Sequence, residues 1–218
     1  SPDTSPLPAL GKSPPWGGLM KALPTFALLL AFVGLLAADA PVSKNSPAMS
    51  TPPKLEKATF GAGCFWGVEY QYAKIPGVVS AFSGYAGGKV LNPTYRQICE
   101  DDTGHAEVVQ VTFDPAKVSY RQLVEYFFRM HNPTQVNRQG PDVGDQYRSV
   151  IFAHSPEQRK VAEEVKTALD AARRFPAPIA TKIEGEQVFW KAEDYHQKYY
   201  ERTGKKPYCH LIPFAEEK

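Results

Sequence analysis

Apolar and polar positions change rhythm several times along this chain. From Ala106 to Phe113 they alternate: Val109, Val111 and Phe113 share one face, Gln110 and Thr112 the other. That period predicts a half-buried strand. Ahead of it, Thr59–Gly63 reads as a short strand ending in a glycine turn. Cys64–Ile75 then carries Phe65, Val68, Tyr72 and Ile75 at helical spacing until Pro76-Gly77 stops it. Val78–Tyr85 reads as a strand running into a loop with Gly84, Gly87, Gly88 and Asn92-Pro93. After Asp114-Pro115, Ser119 and Gln122 form a capping box for a helix whose stripe is Leu123, Tyr126, Phe127 and Met130. His131–Tyr147 reads as a polar loop and Ser149–Ala153 as a strand. Ser155-Pro156 opens a helix with a stripe of Val161, Val165 and Leu169, and Ile179–Ile183 is a short strand. The order β-α-β-β-α-β, followed by additions, predicts an α+β fold. Its expected form is a ferredoxin-like (split βαβ) two-layer sandwich with a mixed sheet and an irregular C-terminal tail from Val188 to Phe214.

The N-terminal quarter follows no such rhythm. Half of the chain's 20 prolines fall before residue 54, which excludes regular helix or central strand. One apolar run, Ala22–Ala38, interrupts them. It follows Met20-Lys21 and leads to the small residues Ala38 and Ala40. A short basic start, an apolar stretch and a small-residue exit make residues 20–40 a secretory signal peptide, with a membrane anchor as the other reading. Residues 1–19 are an upstream leader of unclear origin. Residues 41–57 are a disordered linker, and 58–214 form the globular catalytic domain. The expected location is therefore outside the cytoplasm, exported or membrane-anchored.

Composition narrows the class without naming a function. With 218 residues, 43% hydrophobic and 12% aromatic, the bulk folds around a core. The net charge of +2 gives no electrostatic case for nucleic acid. Three cysteines are too few for a disulfide scaffold, and no paired Cys spacing points to a metal. No cofactor is expected, and the chain is expected to be a monomer.

The candidate chemistry starts at Cys64, where a strand turns into a helix. Unpaired N–H groups and the helix dipole favour an anion there, and a thiol so placed has its pKa lowered. Phe65 and Trp66 put apolar rings beside the sulfur, suited to a thioether or methyl group. The bland alternative is a buried small hydrophobe. Glu107 lies on the apolar face of its strand. Burial would raise its pKa and make it a general acid, unless the strand's first residues lie past the core and it is solvated. The polar loop from Gly140 to Arg148 is a third candidate.

Five stretches together resemble the A-type peptide methionine sulfoxide reductases. They are Gly63-Cys64-Phe65-Trp66-Gly67, Asn92-Pro93-Thr94-Tyr95-Arg96 and Thr103-Gly104-His105-Ala106-Glu107, then Asp142 with Gly144, Gln146, Tyr147, Arg148 and Ser149, and finally Ala192-Glu193-Asp194-Tyr195-His196-Gln197-Lys198. The resemblance runs from about Ala58 to about Ile212. It implies that Cys64 attacks the sulfur of methionine S-sulfoxide, in a protein or free, while Glu107 supplies a proton to the oxygen. Tyr95 and Tyr147 would hold that oxygen, Phe65 and Trp66 the S-methyl group, and Asp142 would belong to the substrate site. Cys64 would be left as a sulfenic acid. The resemblance implies that Cys209 resolves it as a disulfide, which a thioredoxin-like donor reduces. The tail departs from the pattern here, because it lacks a glycine-rich run after Cys209. Cys99, on a segment read as strand-like, is a structural thiol and the backup resolver.

Two rival classes remain at this point. A cysteine hydrolase or acyltransferase would use His105 or His196 as a base to activate Cys64. A non-catalytic binding module would need neither acid nor base.

Overall fold

The computed structural model describes residues 54–208. The leader, nearly all of the linker, and Cys209 with the chain after it lie outside the described residues. The elements in order are β1 (Glu56–Ala62), α1 (Phe65–Tyr72), β2 (Val78–Ala86), α2 (Tyr95–Glu100), β3 (Ala106–Phe113), α3 (Tyr120–Met130), β4 (Arg138–Gln139), β5 (Asp142–Val143), β6 (Ser149–Ala153), α4 (Pro156–Ala171), β7 (Lys182–Gly185), β8 (Trp190–Lys191) and α5 (Tyr199–Thr203). Six strands form one sheet in the order β7-β6-β1-β3-β2-β8, and β4 pairs with β5 in a small hairpin. The β6–β7 pair is parallel and the remaining pairs are antiparallel, so the sheet is mixed and the fold is α+β.

Alternation decides which side of each strand is buried. Phe60, Val109, Val111, Phe113 and Ile151 face one way and pack with Val68, Tyr72, Leu123, Phe127 and Val165 from α1, α3 and α4 in one cluster. Phe60 stacks on Tyr72 with ring centroids 4.8 Å apart and meets Phe127 at 5.6 Å. The intervening positions Ala106, Val108, Val150 and Phe152 form a second, smaller cluster with Ala86, with Phe189 packed on it. The end of the sheet where β1 stops and β3 starts is thus covered on both faces, and Glu107 lies within it. The two main helices start as the sequence predicts. Ser119 and Gln122 complete the capping box of α3, and the Ser155 hydroxyl accepts the Gln158 N–H with Pro156 in the first turn of α4.

Four expectations are corrected. Tyr95–Cys99 is helix, not strand: α2 starts from a full Thr94–Gln97 capping box, and six residues are too few to show a helical period. The strand expected at Ile179–Ile183 is β7, displaced to Lys182–Gly185, where it pairs with β6. Glu56 and Lys57, read as the end of the linker, open β1 and pair with Phe113 and Thr112 of β3. The tail is irregular over much of its length, yet β8 adds to the edge of β2 and Ala192, His196 and Tyr200 are buried. The polar loop also contains the β4–β5 hairpin and a short 3-10 turn, Asp145–Tyr147.

Candidate active site

The strand β1 ends at Ala62, and Gly63 reverses the chain with φ +94°, a conformation that a side chain would strain. Cys64 is the residue that caps α1, and it is 6% exposed. Its side chain makes no capping bond to the helix. The Phe65 N–H instead donates to Oε2 of Glu107 at 3.0 Å. One of the N–H groups at the helix start is therefore held by the carboxyl beside the sulfur.

Glu107 stands opposite Tyr85 in the β2–β3 ladder and is 2% exposed, which rules out the solvated alternative. Burial holds its pKa well above the ordinary carboxylate value. The negative charge of an ionised Cys64, and Asp142 more weakly, push the same way, while the Phe65 N–H bond opposes them. Glu107 thus holds its proton to higher pH than an exposed carboxyl does.

Tyr95 is the first residue of α2, with Cys99 one turn on. Burial, then the neighbouring Cys99 thiol and the charge of Glu107, push the Tyr95 phenol up. Tyr147 closes the 3-10 turn, and its phenol is raised by burial and then by Glu107 and Asp142. Both phenols stay protonated and can donate. Asp142, on β5 of the hairpin, accepts from the Tyr208 hydroxyl at 3.2 and 3.4 Å.

The apolar wall is aromatic. Phe65 is buried, with its ring centroid 6.5 Å from Trp66 and 5.8 Å from Tyr85. Trp66 stacks flat on Tyr199 at 3.7 Å. Its indole N–H donates to Nδ1 of His196 at 3.0 Å, and the His196 ring lies 5.0 Å from Phe65 and 4.4 Å from Tyr95.

The structure therefore brings Cys64, Glu107, Phe65, Trp66, Tyr95, Tyr147 and Asp142 to one end of the sheet. Cys209 lies outside the described residues, one position past Tyr208. Sequence reasoning gave no role to Tyr85, Glu193 or Tyr199 and considered His196 only as a base. The Ala192–Lys198 stretch was visible as a motif, but its partners stand about a hundred residues away in the chain. Among the described residues, no group of three His, Cys, Asp or Glu side chains is placed to hold a metal ion.

Neither histidine proposed as a base is free to be one. His105 Nδ1 accepts the Gly88 N–H at 3.1 Å, which leaves Nε2–H to donate to the Val90 carbonyl at 2.8 Å. His196 Nδ1 is occupied by the indole. A thiol beside a buried carboxyl of raised pKa and two phenols suits acid-assisted thiol chemistry better than a base-activated hydrolase.

Known proteins identify which kind. The family model described as peptide methionine sulfoxide reductase matches residues 56–217. The peptide methionine sulfoxide reductase MsrA of Acidobacterium capsulatum is 55% identical over 157 residues, which is 72% of this chain and 100% of that one. The MsrA of Methanothermobacter thermautotrophicus is 54% identical over 159 residues, covering 73% and 94%. Among solved structures, reduced Mxr1 from Saccharomyces cerevisiae superposes with TM-score 0.67 at 38% identity, over 73% of this chain and 91% of that one. Methionine sulfoxide reductase A of Corynebacterium diphtheriae gives 0.61 at 36% identity, covering 73% and 80%. The chain belongs to the peptide methionine sulfoxide reductase family.

Proposed function

We propose that this chain reduces methionine S-sulfoxide, free or within a polypeptide, to methionine at the expense of its own thiols. The observation that carries the mechanism is the buried Glu107 carboxyl, held by the Phe65 N–H beside Cys64 with its pKa raised by burial. The Cys64 thiolate attacks the sulfoxide sulfur, and Glu107 gives its proton to the oxygen, which would otherwise be a poor leaving group. The Tyr95 and Tyr147 hydroxyls donate to that oxygen as charge grows on it. Phe65 and Trp66 receive the S-methyl group, and Asp142 faces the polar part of the substrate. The protonated oxygen leaves the methionine sulfur as hydroxide. Hydroxide then attacks the Cys64 sulfur and breaks the sulfur–sulfur bond formed in the first step, and methionine departs with Cys64 left as a sulfenic acid. The Cys209 thiolate then attacks that sulfur, water leaves and a Cys64–Cys209 disulfide forms. A thioredoxin-like dithiol takes over the disulfide and restores both thiols.

Three further readings accompany this one. The central strand order β6-β1-β3-β2, with α1 and α3 as crossovers, supports a ferredoxin-like core to which β7 and β8 are added. The catalytic domain acts as a monomer. The leader at residues 20–40 places the enzyme outside the cytoplasm, so its donor is an extracytoplasmic thioredoxin-like protein. An intact leader on a protein confined to the cytosolic fraction would overturn that placement.

The mechanism is tested by a single turnover without reductant, followed by mass spectrometry. The expected result is no more than two equivalents of methionine and a disulfide that includes Cys64, with no product from Cys64→Ser. Continued turnover without reductant, or reduction by Cys64→Ser, would overturn it.

A further inference from the structure

The mechanism leaves the Ala192–Lys198 motif without a task. This stretch crosses from β8 to α5 along the edge of β2, and the structure fixes it there. Gln197 accepts the Ser83 N–H at 3.1 Å and donates to the Ser83 and Ala192 carbonyls at 3.0 and 2.8 Å. The Lys198 N–H donates to both carboxylate oxygens of Glu69, at 3.0 and 3.1 Å. From the strap so anchored, Glu193 reaches into the site. Its Oε1 accepts the Tyr95 N–H at 2.9 Å, and its Oε2 accepts the Tyr85 hydroxyl at 3.0 Å.

These two bonds hold parts that do not hold themselves. Helix α2 has six residues, too short to be stable alone. The Thr94 hydroxyl serves the Gln97 N–H, which leaves the N–H of Tyr95, the first helical residue, to an outside acceptor. That acceptor sets where α2 starts, and hence where the Tyr95 phenol points. Tyr85 stands opposite Glu107 in the ladder and packs its ring against Phe65. One carboxylate thus joins the phenol wall to the apolar wall. Burial opposes its charge, but the bonds from the Tyr95 and Glu193 N–H groups and the Tyr85 hydroxyl outweigh this and hold its pKa below the usual carboxylate range. Bonds to an ionised acceptor are the stronger kind.

We propose that Glu193 is a positioning residue of this enzyme: by holding the Tyr95 N–H and the Tyr85 hydroxyl together, it aims the Tyr95 phenol at the place taken by the sulfoxide oxygen. The proposal rests on the reading of Tyr95 as a donor to that oxygen. A double-mutant cycle on the full chain separates the two, with kcat and KM measured on a methionine sulfoxide peptide in excess dithiothreitol. Glu193→Gln keeps the shape and lowers kcat about tenfold, with KM changed less than about twofold, because the aim matters most in the transition state. Added to Tyr95→Phe, the same substitution costs less than about twofold more, because the group being aimed is gone.

If Tyr95→Phe alone leaves kcat unchanged, the reading of Tyr95 fails and the proposal with it. If Tyr95→Phe lowers kcat but Glu193→Gln costs as much in its presence as in its absence, only the proposal fails. Should Glu193→Gln not fold, Tyr85→Phe loosens one arm of the same carboxylate. It must then lower kcat about threefold, and less in the Tyr95→Phe background; an equal loss in both, or none in either, overturns the assignment.

Discussion

Two buried glutamates, one in α1 and one beside its start, show by their difference how one residue type serves two ends. Glu69 lies within the helix and Glu107 on the strand beside its start, and each is 2% exposed. Burial raises both pKa values. What separates them is the supply of donors. Glu69 accepts the Ser83 hydroxyl at 2.9 Å and a forked bond from the Lys198 N–H, so both of its oxygens are engaged. Glu107 accepts the Phe65 N–H, with Cys64 and Asp142 adding negative charge nearby. A well-supplied buried carboxyl ties elements together. A poorly supplied one beside like charge holds its proton more tightly and is suited to give it to a substrate.

The comparison is broken most easily by rate. Glu107→Gln keeps shape and burial but has no proton to donate, and the expected loss in kcat is about 10²–10⁴-fold. The loss persists at acid pH, because the missing donor is not restored there. Glu69→Gln is expected to change kcat less than about threefold, since its partners lie in the frame. Steady-state kinetics on both variants from pH 5 to 9 reads the contrast directly. Equal losses would show that the two carboxyls act alike.

Stability should reverse the ranking. Glu69→Ala strands the Lys198 N–H and the Ser83 hydroxyl, and should cost about 1–3 kcal/mol in denaturant unfolding. For Glu107 the sign follows from its raised pKa. The folded state binds the proton more tightly than the unfolded chain, whose carboxyl titrates near about 4.3. That contribution is fully present below this value and is lost as pH rises through the folded pKa. Glu107→Gln has no such titration. Its Tm relative to the wild type should therefore climb from pH 4 towards pH 9. A difference that stays flat over this range would mean that Glu107 is ionised in the folded protein.

Much of this contrast was legible in the chain, and the failures have physical causes. The period of two along β3 by itself puts Glu107 on the face of Val109, and the Gly63-Cys64 turn places the thiol at a helix start. The capping boxes at Ser119 and Thr94 are equally local, yet only the first was read, because α3 runs for three turns and α2 for less than two. The displacement of β7 reflects its pairing with β6, an edge interaction that no short-range pattern encodes. The tail was least legible. Its segment is irregular, so it has no period, and Glu193, His196 and Gln197 act through partners as distant in the chain as Tyr95, Trp66 and Ser83. The hydrogen bond from Phe65 to Glu107 joins residues 42 apart, so local pattern does not carry it either.

The smallest expected effect concerns the other described thiol. The sequence reads Cys99 as a structural thiol with resolution of the sulfenic acid in reserve, and α2 places it one turn after Tyr95. Burial raises its pKa, the Tyr95 hydroxyl offsets part of this, and the charge of Glu107 adds to the rise. A thiol with a raised pKa holds less thiolate at neutral pH and attacks a sulfenic acid more slowly. Cys99→Ser keeps an oxygen acceptor for the Tyr95 hydroxyl, so kcat with excess dithiothreitol should change less than about threefold. The single-turnover disulfide should still form between Cys64 and Cys209. A Cys64–Cys99 disulfide in the wild type, absent from Cys99→Ser together with recycling by a thioredoxin-like donor, would instead make Cys99 the resolving thiol and α2 the element that delivers it.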